Sequence, residues 1–264
     1  MNHKRPIIAA TAFFSLILLY LPALAVGYFS INNARYGLAW RGFTLEWYTK
    51  LFHDQYIIEA TVNSLILALV STAISTILGT ALAIGLYRAP WSPKTHRFFD
   101  LLINLPVVVP DIIMAVALAM AFRILRLLSE AFEMGMLTLI IGHVTFQISF
   151  VALIVKSRLE SLGHETDEAA MDLYASRFFH FRRVTLPLIM PGVVAGGLLA
   201  FTLSIDDFII SFFTHGPDSI TLPIYIYASV KRGLTPEIHA LSTLLLIFTA
   251  VIVVIVERAT RKNE

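Results

Sequence analysis

Three aspartates stand inside otherwise apolar stretches of the chain: Asp111, Asp206 and Asp207. A charged side chain at the centre of a membrane helix costs at least about 2.5–3.5 kcal/mol, and it usually faces a cavity or a partner. No lysine or arginine lies well inside these stretches, so a cationic solute would supply the missing charge. The alternative is structural, with the carboxylates bonded to Ser204, Ser211 or backbone groups freed by kinks.

Asp206 and Asp207 are neighbours, and adjacent residues on a helix point about 100° apart. They therefore cannot aim at the same point in the same way. We expect one of them to face a translocation path and the other to pair with a neighbouring helix.

Other chemistries find little support. The chain has no cysteine, which excludes disulfides, thiolate metal sites and cysteine nucleophiles. Its eight histidines include no pair at three- or four-residue spacing, so we predict no metal site and no catalytic group. A P-loop sequence is absent, so energy must come from a partner or a gradient. A net charge of +2 without a basic stripe argues against nucleic-acid binding.

Two tryptophans, Trp40 and Trp47, lie in the polar segment after the first apolar run. They could add cation–π contacts to an ammonium group. An aromatic belt at the membrane interface explains them almost as well.

The composition is that of a membrane protein, since 57% of the 264 residues are hydrophobic and 14% are charged, against roughly 25% charged in soluble domains. Six apolar runs are long enough to cross a hydrocarbon core of about 30 Å. They cover residues 7–29, 60–87, 98–122, 136–155, 188–213 and 240–256. The first run is preferred as an uncleaved anchor, although Ala23-Leu24-Ala25 imitates a signal-peptide cleavage site.

Two runs carry packing or bending signals. The third holds Pro106 and Pro110, each of which removes a backbone donor, so this span should be bent or begin late. The fifth holds Gly192 and Gly196 in a G-x-x-x-G pattern, a weak signal for close helix packing.

The distribution of basic residues predicts the orientation. With the N-terminus inside, 13 of the 20 lysines and arginines lie on the cytosolic side and 7 outside. The positive-inside rule therefore selects six spans with both termini in the cytosol. It also places the long polar segment 156–187 in the cytosol.

That segment contains the most distinctive pattern of the chain. Glu168-Ala169-Ala170 is followed by Val184, Leu186 and Pro187, which resembles the EAA loop of ABC importer permeases, with Tyr174 in place of the family's usual glycine. The alternative is a plain amphipathic cytoplasmic helix. The resemblance implies a loop that docks into a groove of a cytosolic ATPase, and the aromatic side chains near it suit such a groove. The residues expected to couple to the ATPase are Glu168, Ala169, Ala170, Asp172, Phe178, Phe179, Leu186 and Pro187.

The likeness extends to nearly the whole chain. Residues 200–246, together with 43–48 and 105–112, are similar to the second permease subunit of spermidine/putrescine importers. This implies an all-α type I ABC importer permease fold in a bacterial inner membrane, with one transmembrane domain over 1–264 and the coupling loop at about 156–187. The positions that match residues handling the polyamine or its gate are Trp47, Asp111, Ser204, Asp206 and Asp207.

The same resemblance implies partners and cofactors. We expect a heterodimer with a homologous permease, a periplasmic polyamine-binding protein and two ABC ATPases. This chain itself has no cofactor, since the ATPases bind ATP and Mg. The predicted function is polyamine import by alternating access.

Two alternatives remain open at this point. One is a permease for another solute, such as ferric iron or an anion, although aspartates without cations argue against anions. The other is a membrane enzyme that uses Asp111 with Asp206 or Asp207 as an acid/base pair, which would leave the loop unexplained.

Overall fold

The computed structural model describes residues 4–34, 39–163, 176–233 and 235–261. These residues are almost entirely helical, and their one β interaction is an isolated bridge between Asn32 and Phe43. The described helices are α1 (Lys4–Ser30), α2 (Glu46–Leu51), α3 (Gln55–Arg88), α4 (Pro93–Val108), α5 (Asp111–Arg126), α6 (Met136–Leu162), α7 (Arg177–His180), α8 (Leu186–Asp206), α9 (Ile209–Thr214), α10 (Leu222–Arg232) and α11 (Pro236–Arg261). A 3-10 turn, Glu130–Phe132, precedes α6, and a π-helical turn, Phe181–Thr185, joins α7 to α8. The predicted all-α class is confirmed.

Four described helical runs are long and apolar enough to cross a membrane: Thr11–Ser30, Gln55–Arg88, Met136–Leu162 and Phe178–Asp206. A fifth span results if α4 and α5 are counted as one, and Pro236–Val251 is a shorter apolar helix. A multi-span membrane protein is therefore confirmed. The count of six spans and the orientation of the termini stay predictions.

The bend predicted for the third span is present. Helices α4 and α5 meet at 109°, and both Val109 and Pro110 have extended backbone angles between them. Proline disfavours helical geometry in the residue before it and cannot donate to the preceding turn. Pro106, in contrast, stays inside α4.

The sequence predicts a single span over residues 188–213, the fifth apolar run. The structure instead divides this run into two helices. Helix α8 ends at Asp206, Asp207 is extended with φ −67° and ψ 124°, and α9 begins at Ile209. The run therefore contains a break at its acidic pair.

Two segments between the predicted apolar runs contain short helices. Helix α2 lies between the first two runs, and α10 lies between the fifth and the sixth. Pro223 does not prevent α10, because it occupies the first turn, where a missing N–H costs little.

The chain divides into two compact units. The first contains 1–59 and 225–254, and the second contains 60–224 and 255–264. The prediction of one transmembrane domain over 1–264 stays a prediction.

In the first unit, Asn32 organises the segment after α1. Its side-chain amide donates to the carbonyl of Ala39, and its side-chain oxygen accepts from the backbone N–H groups of Ala34 and Arg41. Its own carbonyl accepts a 2.8 Å hydrogen bond from the indole of Trp47. One buried side-chain amide thus joins the backbone at three positions, Ala34, Ala39 and Arg41.

In the second unit, α6 is the central helix. Val151, Val155 and Leu159 of α6 are buried in one core cluster with Ile189 of α8 and Ala83 of α3. Because α6 is packed by several helices, polar side chains on it must find partners inside the protein.

Glycines allow the helices to approach α6 closely. A Cβ on Gly192 would lie 2.9 Å from Cβ of Arg158, and one on Gly196 would lie 3.3 Å from Cα of Val151. The G-x-x-x-G pattern thus lies on the face of α8 that packs against α6, as the sequence indicated.

Candidate functional site

The break between α8 and α9 is held by the side chain of Asp207. Its carboxylate accepts hydrogen bonds from the backbone N–H of Ser211 at 2.8 Å and of Ile210 at 3.3 Å. These N–H groups belong to the first turn of α9 and have no partner within the helix. Asp207 therefore ends α8 and caps α9.

A buried histidine joins this break to the rest of the unit. His143 of α6 is completely buried, and its Nε2 lies 3.0 Å from Oγ of Ser211 and 3.4 Å from Oδ2 of Asp207. Its Nδ1 lies 2.8 Å from Oγ of Ser204, which in turn is 3.2 Å from Oγ of Ser71. Four helices, α3, α6, α8 and α9, thus meet in one polar network.

A second polar link lies one turn further along α6. Gln147 accepts a 2.9 Å hydrogen bond from Ser75 of α3 and donates at 3.1 Å to the carbonyl of Ala200 in α8. Gln147 and His143 are four residues apart, so they share a face of α6.

The two adjacent aspartates have different surroundings. The side chain of Asp207 is only 12% exposed, whereas Asp206 is exposed at the C-terminal end of α8. Among the described residues, no lysine or arginine forms an ion pair with either of them. Asp206 is thus the exposed carboxylate of the pair.

Asp111 is the first residue of α5 and is exposed. Ala115, one turn later, belongs to a buried cluster with Ile210 of α9 and Phe146 of α6. Asp111 and Asp207 therefore sit at the starts of two helices that pack in the same cluster.

Trp47 lies in the first compact unit and is buried, with its indole N–H bonded to the carbonyl of Asn32. The ammonium of Lys50 lies 4.6 Å from the centroid of its ring. The indole N–H and one face of the ring of Trp47 therefore already contact groups of the same unit. Trp40 is half exposed and stacks on Tyr28, with ring centroids 4.8 Å apart.

The predicted coupling residues Glu168, Ala169, Ala170 and Asp172 lie outside the described residues. Phe178 and Phe179 are described, and they are 69% and 55% exposed. Pro187 is exposed and Leu186 is half-buried in the first turn of α8.

Two arginines form hydrogen bonds near the N-terminal end of α8. Arg88 of α3 donates to the hydroxyl of Thr185, and Arg158 of α6 donates at 3.2 Å to the carbonyl of Leu188. The end of the predicted coupling loop and the start of α8 are thus held by two neighbouring helices.

Sequence reasoning missed His143 and Gln147. Each is a polar residue in an apolar run, and its partners lie 53 or more residues away. The cost of placing such residues in a membrane helix was a usable signal for a buried partner. Among the described residues, no group of three or more histidine, aspartate or glutamate side chains is arranged to hold a metal.

These features define a class of protein. A bundle of membrane helices with two broken spans, each with an acidic residue at the break, is typical of solute transporters, which use discontinuous helices for their binding sites.

The chain belongs to the family of binding-protein-dependent transport system inner membrane components, whose model matches residues 75–263. It is 38% identical over 236 residues to the spermidine/putrescine transport system permease protein PotC of Escherichia coli strain K12, covering 89% of this chain and 87% of PotC. It is 39% identical to the putrescine transport system permease protein PotI of the same strain, covering 86% and 81% of the two chains. The chain is thus an inner-membrane transport component and not an enzyme.

Solved structures show the same fold. A bacterial ABC transporter involved in the import of the acidic polysaccharide alginate matches with a TM-score of 0.75 at 18% identity, covering 97% of this chain and 94% of the other. The MetNI methionine ABC transporter in an inward-facing conformation matches with a TM-score of 0.65 at 19% identity, covering 79% and 98%.

Proposed function

We propose that this chain is a permease subunit of an ATP-driven importer for polyamines. Support comes from relatives that are named for spermidine and putrescine transport. It also comes from the exposed Asp206, which has no lysine or arginine partner among the described residues. A polyamine carries several ammonium groups, so it matches exposed carboxylates that the protein leaves without a basic partner.

The observation that carries the mechanism is the helical run Phe178–Asp206. It is 29 residues long, which corresponds to about 43 Å at 1.5 Å per residue. Its first turn carries the exposed phenylalanines of the predicted coupling loop, and its last residue is Asp206. In this proposal, a displacement at the ATPase end is transmitted along one continuous helical run to the carboxylate.

The proposed cycle is alternating access. Closure of the ATPase dimer pulls the loop at 168–187, and the helical run that begins within this loop moves against α3 and α6. Asp206, with Asp111, meets the cation on the path, while Ser204 and Asp207 hold the break in the helix. In this assignment Trp47 supports the outer segment through Asn32 rather than stacking on the solute.

The proposed assembly contains a homologous permease, two ABC ATPases that bind ATP and Mg, and a periplasmic polyamine-binding protein. This chain would cross the inner membrane six times with both termini in the cytosol. The match to a transporter solved in complex with a substrate-bound periplasmic protein supports a docking partner of that kind.

The proposal is tested by reconstituting the full complex in proteoliposomes and measuring ATP-dependent uptake of labelled spermidine and putrescine. Asp206→Asn should lower uptake strongly by raising the KM for the cation, because the charge that meets it is lost. ATP hydrolysis by the assembled complex checks that the variant is intact.

Two outcomes would count against the proposal. Equal KM values for the native chain and Asp206→Asn would remove Asp206 from the cation path. A fully assembled complex that takes up no polyamine but imports another solute, such as ferric iron, would move the chain to a different substrate class.

A further inference from the structure

The geometry points to a role for His143: we propose that it is the positioning residue that fixes Asp207 and, through it, the orientation of Asp206. The inference rests on the proposed function only for the solute that Asp206 meets. The positioning itself concerns the chain alone.

The first step concerns the proton on Nε2 of His143. This atom faces a carboxylate oxygen of Asp207 at 3.4 Å and a hydroxyl oxygen of Ser211 at 3.0 Å. A carboxylate can only accept a hydrogen bond. We therefore assign the proton of the neutral ring to Nε2.

The second step concerns the other ring nitrogen. In the neutral ring, Nδ1 must then accept, and its partner at 2.8 Å is the hydroxyl of Ser204. Ser204 gives its proton to Nδ1, so its oxygen accepts from Ser71 at 3.2 Å. The hydrogen bonds thus run in one direction, from α3 through α8 and α6 to the acidic break.

The third step concerns the effect of these hydrogen bonds on the break between α8 and α9. Asp207 receives two backbone N–H bonds from α9 and faces Nε2–H of His143. These contacts fix the peptide between α8 and α9. Asp206 is the preceding residue and the last of α8, so the contacts of Asp207 hold in place the end of the helix that carries its carboxylate.

The absence of cysteine in the native sequence makes this measurable. A single cysteine introduced as Asp206→Cys reports the exposure of that position through its rate of modification by a charged methanethiosulfonate reagent. The measurement uses the full complex in proteoliposomes and needs no transport, so it stays informative if the solute is not a polyamine.

The discriminating variants are His143→Gln and His143→Asn. The amide nitrogen of glutamine reaches the place of Nε2, whereas that of asparagine reaches the place of Nδ1. In the complex with Asp206→Cys, we expect His143→Gln to keep the native modification rate within about twofold. We expect His143→Asn to change it by about tenfold, the effect of roughly 1.4 kcal/mol.

A third variant covers the case in which His143→Asn fails to assemble. Asp207→Asn weakens the partner of Nε2 and should change the rate in the same direction. In the Asp207→Asn background, His143→Asn should have little additional effect, since both act through one contact.

The proposal is overturned if the modification rate is the same in all these backgrounds. It is also overturned if His143→Gln and His143→Asn change the rate equally, since that would show general core packing. Failure of polyamine uptake with the expected pattern of modification rates would overturn the proposed function and leave the positioning role intact.

Discussion

At the scale of single residues, the same side-chain chemistry serves two purposes at adjacent positions. The carboxylate of Asp207 accepts hydrogen bonds from two backbone N–H groups and faces a buried imidazole, while Asp206 is exposed. The two carboxylates differ because one lies within reach of α6 and the other does not. The exposure of each aspartate thus depends on its position at the end of α8, and the residue type alone does not predict it.

Asn32 and Trp47 offer a test at this scale. Trp47→Phe removes the indole donor and leaves the buried carbonyl of Asn32 without it, at a cost of about 1–3 kcal/mol. We expect a lower midpoint of thermal unfolding for the purified protein and a parallel fall in uptake.

Asn32→Ala should lower the midpoint further, because two backbone N–H groups and the carbonyl of Ala39 lose their partner. Trp40→Phe is the matched control, since its ring can still stack on Tyr28. Normal stability of Trp47→Phe with lost uptake would instead assign Trp47 to the solute.

At the scale of helices, the sequence predicted the long apolar helices and the bend between α4 and α5. Hydropathy located the long helices because burial in lipid requires a continuous apolar run. The prolines located the bend between α4 and α5 because their effect on the backbone is local. The break at Asp207 and helix α10 were not predicted.

The reason for these misses is that both depend on partners distant in sequence. Asp207 ends α8 because its carboxylate accepts hydrogen bonds from two backbone N–H groups of α9 and faces the imidazole of His143. Helix α10 is short, and its first turn is fixed by the N–H of Leu222 donating to the hydroxyl of Ser64 at 2.8 Å. Periodicity along the chain carries no trace of either contact.

Two glycines of α3 give a matched test of helix packing. A Cβ on Gly79 would lie 2.8 Å from Cβ of Val151 and 2.9 Å from the carbonyl oxygen of Ile148, whereas nothing lies within 4 Å of one on Gly85. Gly79→Ala should therefore destabilise the packing of α3 on α6 by about 1–3 kcal/mol.

Gly85→Ala should be neutral or stabilise the protein by up to about 1 kcal/mol, since alanine is the better helix former. Thermal unfolding of the two variants in the same detergent separates the effects. Equal midpoints for both would show that α3 does not approach α6 as closely as described.

At the scale of the whole molecule, the orientation of the chain in the membrane can be mapped, because the native sequence has no cysteine. Single cysteines at the exposed positions Ser92, Glu130 and Asp218 should react differently with an impermeant maleimide. With both termini in the cytosol, a reagent added to the periplasmic face of spheroplasts should label Glu130→Cys and Asp218→Cys but not Ser92→Cys.

Permeabilised cells provide the control, because all three positions should then react. Labelling of Ser92→Cys from outside would reverse the orientation derived from the basic residues. It would also place the coupling loop out of reach of a cytosolic ATPase.

Coupling to the ATPase is testable through the exposed aromatic side chains at the start of the long helical run. Phe178→Ser combined with Phe179→Ser should reduce ATP hydrolysis and uptake together by about tenfold, because the apolar contact with a partner groove is lost. Phe52→Ser is the control, since Phe52 is 71% exposed but lies in the other compact unit.

Uptake and hydrolysis should be unchanged in the control variant. Wild-type rates in the double variant would show that these phenylalanines face lipid or water and not the ATPase. Reduced uptake with normal hydrolysis would assign them to the movement of the permease itself.

The polar network also constrains how the protein is made. Ser75 is synthesised before Gln147, so that pair can form as soon as α6 enters the membrane. His143 cannot yet form its hydrogen bonds at that stage, because Ser204 and Ser211 emerge from the ribosome 61 and 68 residues later. Until then an imidazole without its native partners sits in a newly inserted helix, where an unsatisfied polar group costs several kcal/mol. Helix α6 should therefore stay with the insertion machinery until α8 and α9 arrive, and a chain truncated before Ser204 should be a preferred substrate for membrane proteases.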